Sequence, residues 1–105
     1  MKKPGLFTPI KINTLELPNR IMMSPAFSNS ATRDGKVTPA TINHYRARAR
    51  SGIGLIMTEH TGVNAYYLHP GNRLQISRDE HIKGLAGLVQ AVHREGCKIG
   101  IQIAH

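Results

Sequence analysis

Apolar and polar residues alternate over residues 7–12 and again over 15–17, on either side of Asn13-Thr14. That pattern predicts a short β-hairpin with a polar turn. Residues 19–24 carry Ile21, Met22 and Met23 and run into Pro25, which should end a first buried strand. Residues 28–36 are polar and loop-like, with Asp34-Gly35 as their turn. Thr38-Pro39 then opens a helical pattern: Thr38 suits the N-cap and Pro39 the first helical position. Ile42, Tyr45 and Ala49 fall on one side of it, and Gly52 stops it. Residues 53–58 are almost continuously apolar, as expected of a parallel strand covered on both faces. A long loop is expected over 59–76, including Tyr66, Tyr67, His69, Pro70 and Gly71. Ser77 and Glu80 have capping-box spacing ahead of a second helix. Its stripe is Ile82, Leu85, Leu88, Val89 and Val92, and Gly96 ends it. Residues 98–105 read as a third strand with an apolar residue at every second position.

Strand, helix, strand, helix, strand is the opening of a parallel α/β sheet. Right-handed crossovers put both helices on one side, which favours a closed (β/α)8 barrel over a doubly wound sheet. The last strand needs a neighbour on each edge, and nothing follows it. The expected architecture is therefore the first three βα-type units of a TIM barrel, preceded by the hairpin: an incomplete barrel. The hairpin would plug its floor. The remainder of the barrel, or another copy of the chain, would complete the sheet. No linker or repeat divides residues 1–105, which read as one piece.

Composition changes this picture little. Hydrophobic residues make up 40% of the chain, enough for a modest core. The formal net charge of +8 suggests anionic partners, and a basic module binding nucleic acid or phosphate is one reading. Such a module wants basic residues clustered with aromatics. Here they are scattered; Arg46, Arg48, Arg50, Arg78 and Lys83 lie on or beside helices, where a solvated face is the ordinary reading. No nucleic-acid partner is expected. A third reading is a non-catalytic half-barrel that oligomerises through its strand edges. Cys97 is the only cysteine and is expected to be an inert buried thiol in a reducing compartment. The first five residues lead into no apolar run, and no segment is long enough to span a bilayer. A cytoplasmic protein with no membrane partner is expected. The histidines at 44, 60, 69, 81, 93 and 105 have no metal-ligand spacing, so no metal site is expected.

In a barrel of this type the chemistry sits at the carboxyl ends of the strands. Those ends are Ser24-Pro25-Ala26-Phe27, Thr58-Glu59-His60 and Gln102-Ile103-Ala104-His105. If the alternation holds, Ile99, Ile101 and Ile103 face the helices, and Gly100, Gln102 and Ala104 face inward. A carboxamide donates and accepts at once, so Gln102 suits the carbonyl and N–H edge of a flavin or nucleobase. An amide satisfied by backbone groups is the plainer alternative. Small residues at 24–26 would let backbone groups approach a flat ligand; a simple turn is the alternative. Glu59 and His60 could form an acid–base pair, although neighbours on a strand point to opposite faces. His105 could donate a proton, contact an anion, or be an ordinary loop histidine.

At these residues the sequence resembles the amino-terminal third of the Old Yellow Enzyme family of FMN-dependent oxidoreductases. It is most similar to the bacterial ene-reductase and dienoyl-CoA-reductase-like branches. The resemblance rests on Leu6-Phe7-Thr8-Pro9-Ile10, Leu17-Pro18-Asn19-Arg20-Ile21, Met23-Ser24-Pro25, Asp34-Gly35-Lys36-Val37-Thr38, His44-Tyr45, Gly54-Leu55-Ile56, Thr58-Glu59 and residues 98–105, in the family's order and spacing. It implies FMN at the carboxyl-terminal mouth of the barrel, NADH or NADPH as reductant, and a small unsaturated molecule as substrate. It also implies that Ser24, Pro25, Ala26 and Phe27 line the flavin, largely through backbone atoms. His60 would hold a further flavin-contacting position, and Gln102 would bond the pyrimidine edge. Asn29 and His105 would lie toward substrate. The family's catalytic groups and phosphate site are expected beyond residue 105, so residues 1–105 alone are not expected to bind FMN tightly. Three positions depart from the family pattern. Phe27 replaces a Cys or Thr that tunes the flavin, His60 replaces a small residue, and Asn29 replaces a tyrosine found in some relatives.

Overall fold

A computed structural model describes residues 3–65 and 71–105. Tyr66, Tyr67, His69 and Pro70 lie outside the described residues. The hairpin forms from β1 (Ile10–Ile12) and β2 (Leu15–Leu17), with Ile10 opposite Leu17 and Ile12 opposite Leu15. Asn13 makes the turn with φ 53°, a left-handed conformation that asparagine tolerates. Of this segment Leu17 is buried, whereas Phe7 is 76% exposed. Within residues 1–105 the hairpin buries Leu17 and leaves Leu6, Phe7 and Ile12 exposed.

Three strands make the central parallel sheet. They are β3 (Met22–Met23), β4 (Leu55–Met57) and β6 (Lys98–Gly100), in that spatial order. Helix α1 (Pro39–Ala49) links the first two. Thr38 caps it as expected: its Oγ1 accepts from the Thr41 backbone N–H, and Thr41 Oγ1 accepts in return from the Thr38 N–H. Gly52 turns the chain back with φ 93°. Helix α2 (Ile82–Arg94) links the second and third strands. Tyr45 and Ala49 of α1, Ile56 of β4, Leu88 and Val92 of α2, and Cys97 form one buried cluster. Both helices thus cover the same face of the sheet. Burial raises the Cys97 thiol above its ordinary pKa, which fits an inert core residue.

Several expectations need correction. Every strand is shorter than its apolar run, because the ladders stop where the chain turns toward its loops. Residues 59–76 are not one irregular loop. They contain β5 (Thr61–Gly62), which pairs in parallel with β7 (Ile103–Ala104), and Gly62 also bridges to Gln75. Gln75 leaves no room for a Cβ at Gly35 or Gly62; one built at either would lie 2.4 Å from its side chain. The third strand is interrupted at Ile101 and Gln102, so its alternation does not run through. Ile99 reaches the core cluster, but Ile103 is 66% exposed and Ala104 is buried.

The second helix does not start with the Ser77–Glu80 box. A 3-10 turn (Asp79–His81) precedes it, and His81 Nδ1 accepts from the Arg78 N–H. Ser77 Oγ–H donates to Gln75 instead, and Glu80 pairs with Arg78. With the start displaced, Ile82 turns out to solvent and Ala91 joins Leu85, Leu88 and Val92 in the buried stripe.

Candidate functional site

Because β3, β4 and β6 are parallel neighbours, their carboxyl ends lie side by side at one rim. Ser24, Pro25, Ala26 and Phe27 follow β3, Glu59 and His60 follow β4, and Gln102 follows β6. The four residues after β3 are all exposed, as are Gln102 and His105; His60 is half-buried. The rim therefore offers backbone and amide groups to solvent from three adjacent strand ends.

Pairing across the rim is out of step by one residue. Leu55 pairs with Lys98, and further on Thr61 pairs with Ile103, so one strand advances six residues while the other advances five. The extra residue is a β-bulge within Thr58-Glu59-His60, a device found at barrel rims that re-aims side chains. It accounts for the direction of Glu59. Strict alternation from Ile56, which faces the helices, would send Glu59 to the opposite face with Leu55 and Met57. Instead Glu59 reaches the helix layer: Tyr45 O–H of α1 donates to its Oε1 at 2.9 Å. The Glu59 backbone N–H donates to Tyr45 Oη, also at 2.9 Å. Glu59 thus turns to Tyr45 and the helix layer, in keeping with strand neighbours that need not meet.

Glu59 is 1% exposed. Ser28 O–H donates to Oε1 at 2.5 Å, and the Ser28 N–H lies 3.5 Å from Oε2. Ser28 Oγ is also 2.7 Å from Ser30 Oγ, and Ser30 O–H donates to Thr41 Oγ1 at the start of α1. Thr58 and Thr61 hydroxyls both donate to the Glu59 carbonyl oxygen. Burial, with the neighbouring carboxylate adding to it, raises the Tyr45 phenol above its ordinary pKa, so Tyr45 stays protonated and donates. His44 stacks edge-on to Tyr45 at 5.0 Å between ring centroids. Burial, with Arg48 nearby, lowers its pKa.

The exposed Phe27 ring is flanked on another side. The Arg73 guanidinium lies 3.9 Å from its centroid. A Cβ on Gly71 would come 2.6 Å from Phe27, so glycine is needed there for the close approach. Asn29, with φ 54°, uses its side-chain oxygen to accept from the Asn72 N–H at 2.9 Å. That oxygen ties two loops together.

The profile of the NADH:flavin oxidoreductase / NADH oxidase family matches residues 5–105. The chain belongs to that family. It is 46% identical over 101 residues to a Bacillus subtilis NADPH dehydrogenase, covering 95% of this chain and 30% of that protein. It is 40% identical over 105 residues to a Thermoanaerobacter brockii NADH oxidase, covering 97% of this chain and 16% of that protein. Among solved structures, the old yellow enzyme homologue of Zymomonas mobilis superposes with a TM-score of 0.85 at 33% identity, covering 97% of this chain and 28% of that one. The chain thus spans less than a third of the length of these relatives. Membership in the NADH:flavin oxidoreductase family implies FMN as cofactor and NADH or NADPH as reductant.

For a member of the NADH:flavin oxidoreductase family, the residues present fit one edge of a flavin ring. The exposed 24–27 corner and the exposed Gln102 carboxamide flank β4, as a flat ligand lying across three strand ends requires. Sequence reasoning placed the corner and Gln102 but missed Ser28 and Tyr45. Tyr45 was read only as a core-facing ring. The available signal was the glutamate at the end of an apolar strand, since a buried carboxylate needs donors and a buried tyrosine has one to give.

Proposed function

We propose that residues 1–105 form the amino-terminal part of an FMN-dependent oxidoreductase that reduces the C=C bond of an activated, α,β-unsaturated small molecule. Bound FMN would take hydride from NADH or NADPH and deliver it to the β-carbon of the alkene. The observation that carries this reading is the convergence of the 24–27 corner, His60 and Gln102 on one rim, in a chain of this family. Gln102 would pair its amide with the carbonyl and N–H edge of the ring and fix its orientation. Backbone groups at 24–27 would approach the ring closely, with Phe27 forming an apolar wall. Groups beyond residue 105 would supply the proton, the substrate anchor and the phosphate site, and would close the barrel over the face of the sheet opposite the helices. A cytoplasmic setting fits the single buried thiol.

The test is made on the intact protein. It should purify yellow, or take up FMN, and oxidise NADH or NADPH in the presence of an α,β-unsaturated ketone. Gln102→Leu should weaken FMN binding by about tenfold, the loss of a hydrogen bond or two. A colourless protein that neither binds added FMN nor consumes reduced nicotinamide would overturn the reading.

A further inference from the structure

Glu59 is the most buried charged residue at the rim, and its partners explain why an acid stands there. A carboxylate removed from water is destabilising unless its lone pairs are met. The donors that meet them are neutral: the Ser28 hydroxyl, the Ser28 backbone N–H and the Tyr45 phenol. An apolar side chain of the same volume would fill the space without that penalty, so what the acid adds is the grip on those donors.

What it grips is one end of the exposed corner. The corner runs from β3, where the sheet ladder fixes Met22 and Met23, to Ser28. None of Ser24, Pro25, Ala26 and Phe27 is buried; the Phe27 ring rests against Arg73 and Gly71, but that contact holds the side chain's tip rather than the backbone. Ser28 is the first residue after them with buried partners. Beyond it, Ser30 bonds to Thr41, and Thr38 O–H donates to the Ser30 carbonyl at 2.5 Å. The corner is therefore a short span between two anchors, and its second anchor is the Glu59 carboxylate, itself clamped by Tyr45 from α1.

We propose that Glu59 is a positioning residue: held by Tyr45, it fixes Ser28 and so sets where the 24–27 corner meets a ligand at the rim. The claim about the corner rests on geometry alone; the claim that the ligand is FMN rests on the function proposed above. Glu59 touches neither cofactor nor substrate in this role. It acts through Ser28.

Amide hydrogen exchange on the intact protein separates the two claims. Glu59→Gln keeps the shape and removes the charge. Ser28→Ala removes the hydroxyl's bonds to Glu59 and Ser30, keeps the backbone N–H toward Oε2, and leaves the Glu59–Tyr45 contact in place. In the FMN-free protein both variants should speed exchange of the residue-28 amide, which faces Glu59 Oε2, by about tenfold, one charge-assisted hydrogen bond's worth, with exchange in α2 unchanged. With FMN, both should weaken binding by a similar factor and shift the visible band. The double variant should be no worse than Glu59→Gln alone, because the two residues act as one unit. Unchanged exchange of the residue-28 amide in Ser28→Ala would overturn the proposal. So would faster exchange throughout the fold in Glu59→Gln with Ser28→Ala silent, the mark of a purely structural acid. A corner that loosens in both variants of a protein unable to take up FMN would uphold the positioning role and sink the flavin reading instead.

Discussion

The two faces of the parallel sheet are built from the same three strands and end in opposite conditions. On the helix side Ile56 is fully buried beneath Tyr45, Leu88 and Val92. On the other side Met22 is 55% exposed, and the Met57 sulfur lies against Gly100, where a Cβ would sit 2.7 Å from it. The first face is finished by residues of this segment alone. The second is only partly covered: Leu55 is buried and Met57 half-buried, but Met22 and Lys98 are exposed, and the candidate site lies along its rim. One face therefore records what makes the segment fold, and the other what it is for.

The largest expected effect tests the finished face. Leu88→Ala should lower the unfolding free energy by about 2–5 kcal/mol, the range for truncating a fully buried leucine. Chemical denaturation measures it, and a loss below about 1 kcal/mol would mean the helix layer contributes little. Met22→Ala tests the less covered face in the intact protein. If a closed barrel covers it there, the loss should approach about 2 kcal/mol. A loss near zero would mean the face stays open in the intact protein too.

Thr38→Ala is a smaller probe. It removes the N-cap of α1 and a bond to the Ser30 carbonyl, and should cost about 1 kcal/mol. The smallest expected effect is a pH dependence from His44. Burial depresses its folded-state pKa below that of the unfolded chain. The unfolded chain therefore binds the proton first as pH falls below about 6.5. Stability should be fully present above that pH, decline below it, and level off once pH passes the folded value. Comparing wild type with His44→Asn across that range isolates the term; identical slopes would remove His44 from the account.

Much of the finished face was legible in the sequence. Thr38-Pro39, Gly52 and Gly96 punctuate the helices, and the stripes around Tyr45 and Leu88 identify their inner sides. These are local signals, each fixed by residues three or four apart. The rim was legible in part. Parallel topology placed the 24–27 corner and Gln102 at one end, because that placement follows from element order. The role of Glu59 was hidden because it depends on a strand falling out of step with a partner more than forty positions away, which no local pattern records. The start of α2 misled for a related reason. Ser77 and Glu80 have the right spacing, but a hydrogen bond to Gln75 and a charge on Arg78 claim them, and His81 takes the capping place.

The extra residue in Thr58-Glu59-His60 has a consequence for anyone altering this segment. It works as a phase shifter between the two halves of a ladder. Removing His60 would bring Thr61 back into step and swing the acid to the wall opposite Tyr45; adding one residue would displace every pairing after it. The rim depends on the length of this stretch as much as on the acid within it.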